Sequence, residues 1–194
     1  MRQPAVTVRL TFTHKTLDTT MITDTYPMTV GEDNVRNERM LLGKVEDGRV
    51  MMSAHSVRFL VLHCSATRCD RNYSVQQMLR DHKARGFKGI GYHFYIQRDG
   101  TLTQHRMLLE VGAHARPYNR CSIGICYEGG LDSEGRPQDT RTPAQTKQLD
   151  ALLYRLHKLF PQAEIAGHRD LPGTTPKECP CLDTQAEFGW IADL

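Results

Sequence analysis

From Val57 onward the chain alternates short apolar runs with amphipathic stretches. Val57-Arg58-Phe59-Leu60-Val61-Leu62 is mostly apolar and ends at His63. That pattern predicts a buried strand that delivers polar side chains at its C-terminal end. Ser74 precedes Gln77 by three residues, a capping-box spacing, and predicts a helix running to about Arg85, where Gly86 ends it. Residues 91–96 read as a second strand, turned by Asp99-Gly100, and residues 122–127 as a third. Residues 128–142 form a polar, glycine-containing loop. Thr142-Pro143-Ala144-Gln145 then opens the clearest helix, with Thr142 as cap and Pro143 at the first helical position. Leu149, Leu152, Leu153, Leu156 and Phe160 fall on one face of it, and Pro161 stops it. Residues 163–166 are a short strand leading into Gly167-His168, and residues 172–181 are loop. Strands alternating with helices predict an α/β fold, a sheet covered by helices.

Residues 1–56 differ from the rest. Nine threonines lie between Thr7 and Thr29, and Val6, Val8, Leu10 and Phe12 alternate with polar residues. This predicts an exposed strand within a small N-terminal extension, β-rich or disordered, ahead of a domain spanning 57–194. A further reading is that translation starts at Met51 or Met52, which leaves a complete small domain. The 194 residues suffice for one domain with such an extension. With 39% hydrophobic and 24% charged residues, the composition is that of a globular protein. No apolar run has the length of a membrane helix, and the N-terminus lacks the apolar core of a secretory signal. The expectation is therefore cytoplasmic synthesis without membrane association. Net charge is +3, all of it beyond residue 57. That is too weak to argue nucleic-acid binding, and none is expected.

Six cysteines, Cys64, Cys69, Cys121, Cys126, Cys179 and Cys181, form an even count. In a chain long enough to build its own core and without an export signal, free thiols fit better than a disulfide framework. His63 and His168 each follow an apolar strand, where α/β sheets assemble their sites. Cys179 lies eleven residues beyond His168 in a proline-rich loop. Two imidazoles and a thiolate suit zinc, and three protein ligands leave a fourth position open, the catalytic pattern. Spacing alone is weak, because nine histidines and six cysteines allow many triples, and a histidine after a strand is more often structural. A tyrosine such as Tyr92 in a strand is ordinarily a packing residue, and a loop lysine such as Lys177 is ordinarily solvated. His93, on the face opposite Tyr92 in a regular strand, reads as structural, and His82, on the first helix, reads as packing or solvated rather than catalytic.

Five segments, in order, are similar to the type 2 N-acetylmuramoyl-L-alanine amidases, the family of phage zinc amidase lysozymes related to peptidoglycan recognition proteins. They are Val61-Leu62-His63-Cys64-Ser65-Ala66-Thr67, Gly89-Ile90-Gly91-Tyr92-His93-Phe94 and Gly112-Ala113-His114-Ala115 with Asn119 and Ser122-Ile123-Gly124-Ile125. Gly167-His168-Arg169-Asp170-Leu171 and Pro176-Lys177-Glu178-Cys179-Pro180 complete the set. The resemblance implies a central mixed β-sheet flanked by helices. It implies zinc held by His63, His168 and Cys179, catalytic roles for Tyr92 and Lys177, and a peptide groove lined by His114 and Asn119. Cys181 competes locally with Cys179 as the ligand, and the proline that follows Cys179 favours the latter. The implied reaction is hydrolysis of the amide between N-acetylmuramic acid and L-alanine in peptidoglycan, by an endolysin of phage or prophage type that reaches the wall after release. Two other readings follow from the same resemblance. A non-catalytic peptidoglycan-binding protein would usually lack the cysteine ligand, and Cys179 is present. A regulatory protein partner is known for phage lysozymes of this kind, and residues 1–56 could serve one.

Overall fold

In the computed structural model, residues 54–174 and 178–191 are described in full, and 8–15, 21–28 and 192–193 by backbone alone. The chain divides into two compact units, Met1–Lys44 and Val45–Leu194. In the first, β1 (Val8–Lys15) and β2 (Met21–Met28) pair antiparallel, from Val8 opposite Met28 to Lys15 opposite Met21. The alternation expected near the N-terminus lies largely within β1.

The second unit is built on a five-stranded sheet. Its strands are β3 (Phe59–Cys64), β5 (Phe94–Ile96), β6 (Leu102–Gln104), β7 (Ser122–Tyr127) and β9 (Glu164–Gly167), in the order β6-β5-β7-β3-β9. The neighbours β3–β7, β3–β9 and β5–β7 run parallel, and the edge strand β6 runs antiparallel to β5. The sheet is therefore mixed, as expected. The central strands are mostly apolar because both faces are covered. Leu60, Val61, Ile123 and Ile125 are fully buried. A separate parallel pair, β4 (Thr67–Arg68) with β8 (Gly130–Leu131), breaks up what reads in the sequence as plain loop after residue 128.

Helix α1 (Val75–Ala84) starts where the sequence places it, the Ser74 hydroxyl accepting from the Gln77 N–H. Gln77 does not close the box. Its side-chain amide donates instead to Asp81 one turn on, at 3.1 Å. Helix α2 (Pro143–Leu159) has the full reciprocal box of Thr142 and Gln145, and its leucine stripe is buried. Gln145 does more than cap. It is completely buried, and its Nε2 donates to the carbonyls of Ile96 (3.2 Å) and Glu128 (2.9 Å), which fastens the helix start to the sheet. A short helix, α3 (Thr184–Phe188), capped by Asp183, follows the last loop.

The second predicted strand is shorter than its pattern. Regular pairing begins only at Phe94, because the backbone of Gly91 is engaged elsewhere. Its N–H donates to His82 Nδ1 at 2.9 Å, and its carbonyl accepts from the Ala113 N–H at 2.9 Å. A Cβ on Gly91 would stand 2.3 Å from the Ala113 oxygen, so this approach admits only glycine. All six cysteines are free thiols, as expected.

Candidate metal and catalytic site

The site forms where β3 and β9 end side by side. His63 is the penultimate residue of β3, and His168 opens the 3-10 turn that follows β9. Parallel neighbours bring their carboxyl ends to one edge of the sheet, so residues 105 positions apart in sequence meet there. The turn carrying His168 is closed by Asp170, whose Oδ2 accepts the Gly167 N–H at 2.8 Å. Gly167 is confined, since a Cβ there would lie 2.7 Å from Asp170, Pro180 and Thr184 atoms.

Cys179 comes from the loop ahead of α3. Two backbone contacts hold that loop. The Arg169 N–H donates to the Cys179 carbonyl at 2.9 Å, and the Tyr127 hydroxyl donates to the Pro180 carbonyl at 2.6 Å. The Cys64 N–H points at Cys179 Sγ, 3.4 Å away. One ligand-type atom from each of His63, His168 and Cys179 lies within 4.8 Å of the others. His63 Nδ1 is 3.7 Å from Cys179 Sγ. Nitrogen and sulfur ligands on one tetrahedral zinc stand about 3.6 Å apart. Both histidines are buried and Cys179 is half-buried. The three residues fit a zinc ion, and three protein ligands leave its fourth tetrahedral position to another group.

Cys181 is placed differently. Its Sγ lies 3.7 Å from Cys64 Sγ, and its own backbone adopts φ +66°. The Cys64 thiol is pushed up to about 12, first by its hydrogen bond to Cys179 and then by burial. Cys181 is held above the usual thiol value chiefly by Cys64. These two remain thiols at neutral pH and face each other, and among the described residues the converging triple contains Cys179.

Around the triple lies a shell of rings. The Tyr92 ring centre is 5.1 Å from that of His63, and Tyr92 also packs against the core group of Met78, Ile90, Tyr95 and Cys126. Burial holds the Tyr92 phenol well above its usual value, so it carries its proton at neutral pH. His114 stands on the other side, its Nδ1 3.0 Å from His63 Nε2. Asn119 Oδ1 accepts the N–H groups of His114 and Ala115, at 2.9 and 2.8 Å, and so shapes the loop that carries His114. Both residues expected along the peptide groove thus have work inside the fold. Lys177 lies outside the described residues.

His93 is structural, as read. Its Nδ1 accepts from the Gly124 N–H at 3.0 Å and its Nε2 donates to the Glu110 carbonyl at 2.7 Å. Burial lowers it to about 4. His82, read from the sequence as packing or solvated, is buried and shapes the site. Besides holding Gly91, its ring lies 5.5 Å from Tyr92. The available signal was its place four residues after the buried Met78 on α1. Glu128 was missed. Its carboxylate accepts the N–H groups of Tyr73 and Arg98, which ties the segment ahead of α1 to the loop after β5.

The family model of N-acetylmuramoyl-L-alanine amidases matches residues 53–181. The endolysin of Enterobacteria phage K11 is 40% identical over 124 residues, 64% of this chain and 80% of the relative. Among solved structures, the N-acetylmuramoyl-L-alanine amidase LysC from Clostridium intestinale superposes with a TM-score of 0.58 at 31% identity. That match covers 71% of this chain and 87% of LysC. Drosophila PGRP-LB superposes with a TM-score of 0.55 at 26% identity, covering 69% and 79%. Fold, motif order and match extent agree, and the chain belongs to the N-acetylmuramoyl-L-alanine amidase family.

Proposed function

We propose that the protein is a zinc-dependent endolysin that hydrolyses the amide between the lactyl group of N-acetylmuramic acid and L-alanine in peptidoglycan. The observation that carries the reading is the convergence of His63, His168 and Cys179 at the open carboxyl edge of the sheet. These three would hold the metal. When bound, zinc supplies Lewis acidity, which makes water a stronger nucleophile at neutral pH and polarises the scissile carbonyl.

The chain's own groups do the rest. Tyr92 keeps a protonated phenol beside His63, a donor that can steady the oxygen on which negative charge develops. Lys177, two residues before Cys179, supplies a cation to the same charge. Asn119 would meet a stem-peptide carbonyl through its Nδ2, since its Oδ1 holds the 114–115 backbone. The amidase domain is taken to span 57–194. Synthesis in the cytoplasm with action on the wall after release completes the endolysin reading, and no helix among the described residues is long and apolar enough to cross a membrane.

The test combines metal content with product analysis. The full chain and Cys179→Ala are purified, zinc is quantified, and each is incubated with peptidoglycan. About one zinc per chain and new L-alanine amino termini without new reducing sugar, both lost in the variant, is the expected result. New reducing ends would instead indicate a glycosidase, and zinc retained by Cys179→Ala would move the thiolate ligand to Cys181.

A further inference from the structure

His114 makes a chain of hydrogen bonds whose direction can be read. Ser122 Oγ donates to the Tyr118 carbonyl at 2.8 Å, so its single proton is committed to a group that can only accept. His114 Nε2 lies 3.5 Å from the same Oγ, whose proton is already placed, so a hydrogen bond between the two has the ring nitrogen as donor. The ring is enclosed by His63, His93, Gly112 and Gly124. Its other nitrogen, Nδ1, is 3.0 Å from His63 Nε2. When Nδ1 of His63 serves as the ligand, that ring's proton sits on Nε2, and His114 Nδ1 is the acceptor in reach. His63 is therefore held as the Nε2–H tautomer, with the lone pair of Nδ1 directed to the side where Cys179 Sγ stands 3.7 Å away.

We propose that His114 is a positioning residue that fixes the tautomer and ring orientation of His63, so that its Nδ1 is ready for zinc before any metal arrives. The inference rests on the zinc reading above and goes beyond the expected contact of His114 with the peptide. Gly124 and Gly112 leave the space for this ring. A Cβ on either would come within 2.5 Å of His114 atoms. The relay ends on a backbone carbonyl of the 118–121 turn, so the geometry of the metal ligand is anchored to the main chain. Outer partners of this kind typically contribute 10–100-fold to metal affinity.

Two measurements test it on the full-length chain. The first is the ¹⁵N–¹H correlation spectrum of the metal-free protein, with His63 assigned by difference against His63→Gln. The expected result is the Nε2–H tautomer of His63 at neutral pH. The Nδ1–H tautomer overturns the proposal. The second compares His114→Asn and His114→Leu, which are nearly isosteric, by zinc competition against a chelator. Asn keeps an acceptor oxygen near the position of Nδ1, and Leu does not. The proposal expects zinc affinity within about threefold of the unsubstituted chain for Asn, and 10–100-fold weaker for Leu. Equal loss in both variants would reduce His114 to a packing residue, and no loss in either would also overturn the proposal. An unsubstituted chain that binds no zinc would overturn the metal reading instead. The tautomer, read without metal, distinguishes that failure from this one.

Discussion

At the scale of single residues, the site separates groups that hold the metal from groups that act beside it. Tyr92→Phe keeps the ring against His63 and the Met78 cluster and removes only the hydroxyl. Turnover should fall about 10²-fold or more while zinc content stays at that of the unsubstituted chain, checked by amino-terminus release and metal analysis on one preparation. The two buried histidines outside the metal triple set a pH dependence. Burial lowers both His82 and His93 to about 4 from an ordinary value near 6.5. The unfolded chain therefore binds protons that the folded chain refuses between those values. The stability these neutral rings carry is present in full above about pH 6.5 and is lost as pH falls toward 4. Urea unfolding at pH 7 and pH 5 should differ by about 1–2 kcal/mol for each ring, and His93→Gln should flatten the slope. A pH-independent midpoint in that window would refute the assignment.

At the scale of elements, helix α2 and the sheet share Gln145. Gln145→Leu fills much the same volume but leaves the carbonyls of Ile96 and Glu128 buried without their donor, and should lower stability by about 2 kcal/mol or more. Thr142→Ala loses the cap and also the donation of its hydroxyl to the Arg98 carbonyl at 2.6 Å, and should cost about 1–2 kcal/mol, so a denaturant midpoint series compares the two. The capping box of α2 was legible because its residues are four adjacent letters and its consequences are local. The strand at 91–96 was legible in type but not in extent. What shortens it is His82 from α1 and Ala113 from a distant loop, and nothing in the run of residues announces either. The same limit hid the paired β4 and β8, each two residues long. His63, His168 and Cys179 could be picked out by chemistry, but the spacing allowed rival triples. The adjacency of β3 and β9 brings the two histidines together, and the contacts of Arg169 and Tyr127 with the 179–180 backbone bring Cys179 to them. Cys181 was a rival ligand on sequence proximity alone, and its side chain turns to Cys64 because its backbone turns left-handed at that residue.

At the scale of the whole molecule, every described residue of the site comes from the unit that starts at Val45. A chain beginning at Met52 should retain zinc and amidase activity within a few-fold, measured against the full chain on the same peptidoglycan. Loss of both would assign the extension a part in folding. The separation of the ligands along the chain has a further thermodynamic consequence. His63 and Cys179 are 116 residues apart, so an ion that joins them closes most of the domain into a loop that the unfolded chain has no reason to form. Metal occupancy is then a term in the folding equilibrium, growing by about 1.4 kcal/mol for each tenfold excess of free zinc over its dissociation constant. A chelator should lower the melting temperature of the unsubstituted chain and leave that of Cys179→Ala where it was. Such an enzyme would be hardest to unfold where zinc is plentiful, and would become fragile when the metal is withdrawn, before any change in the wall it acts on.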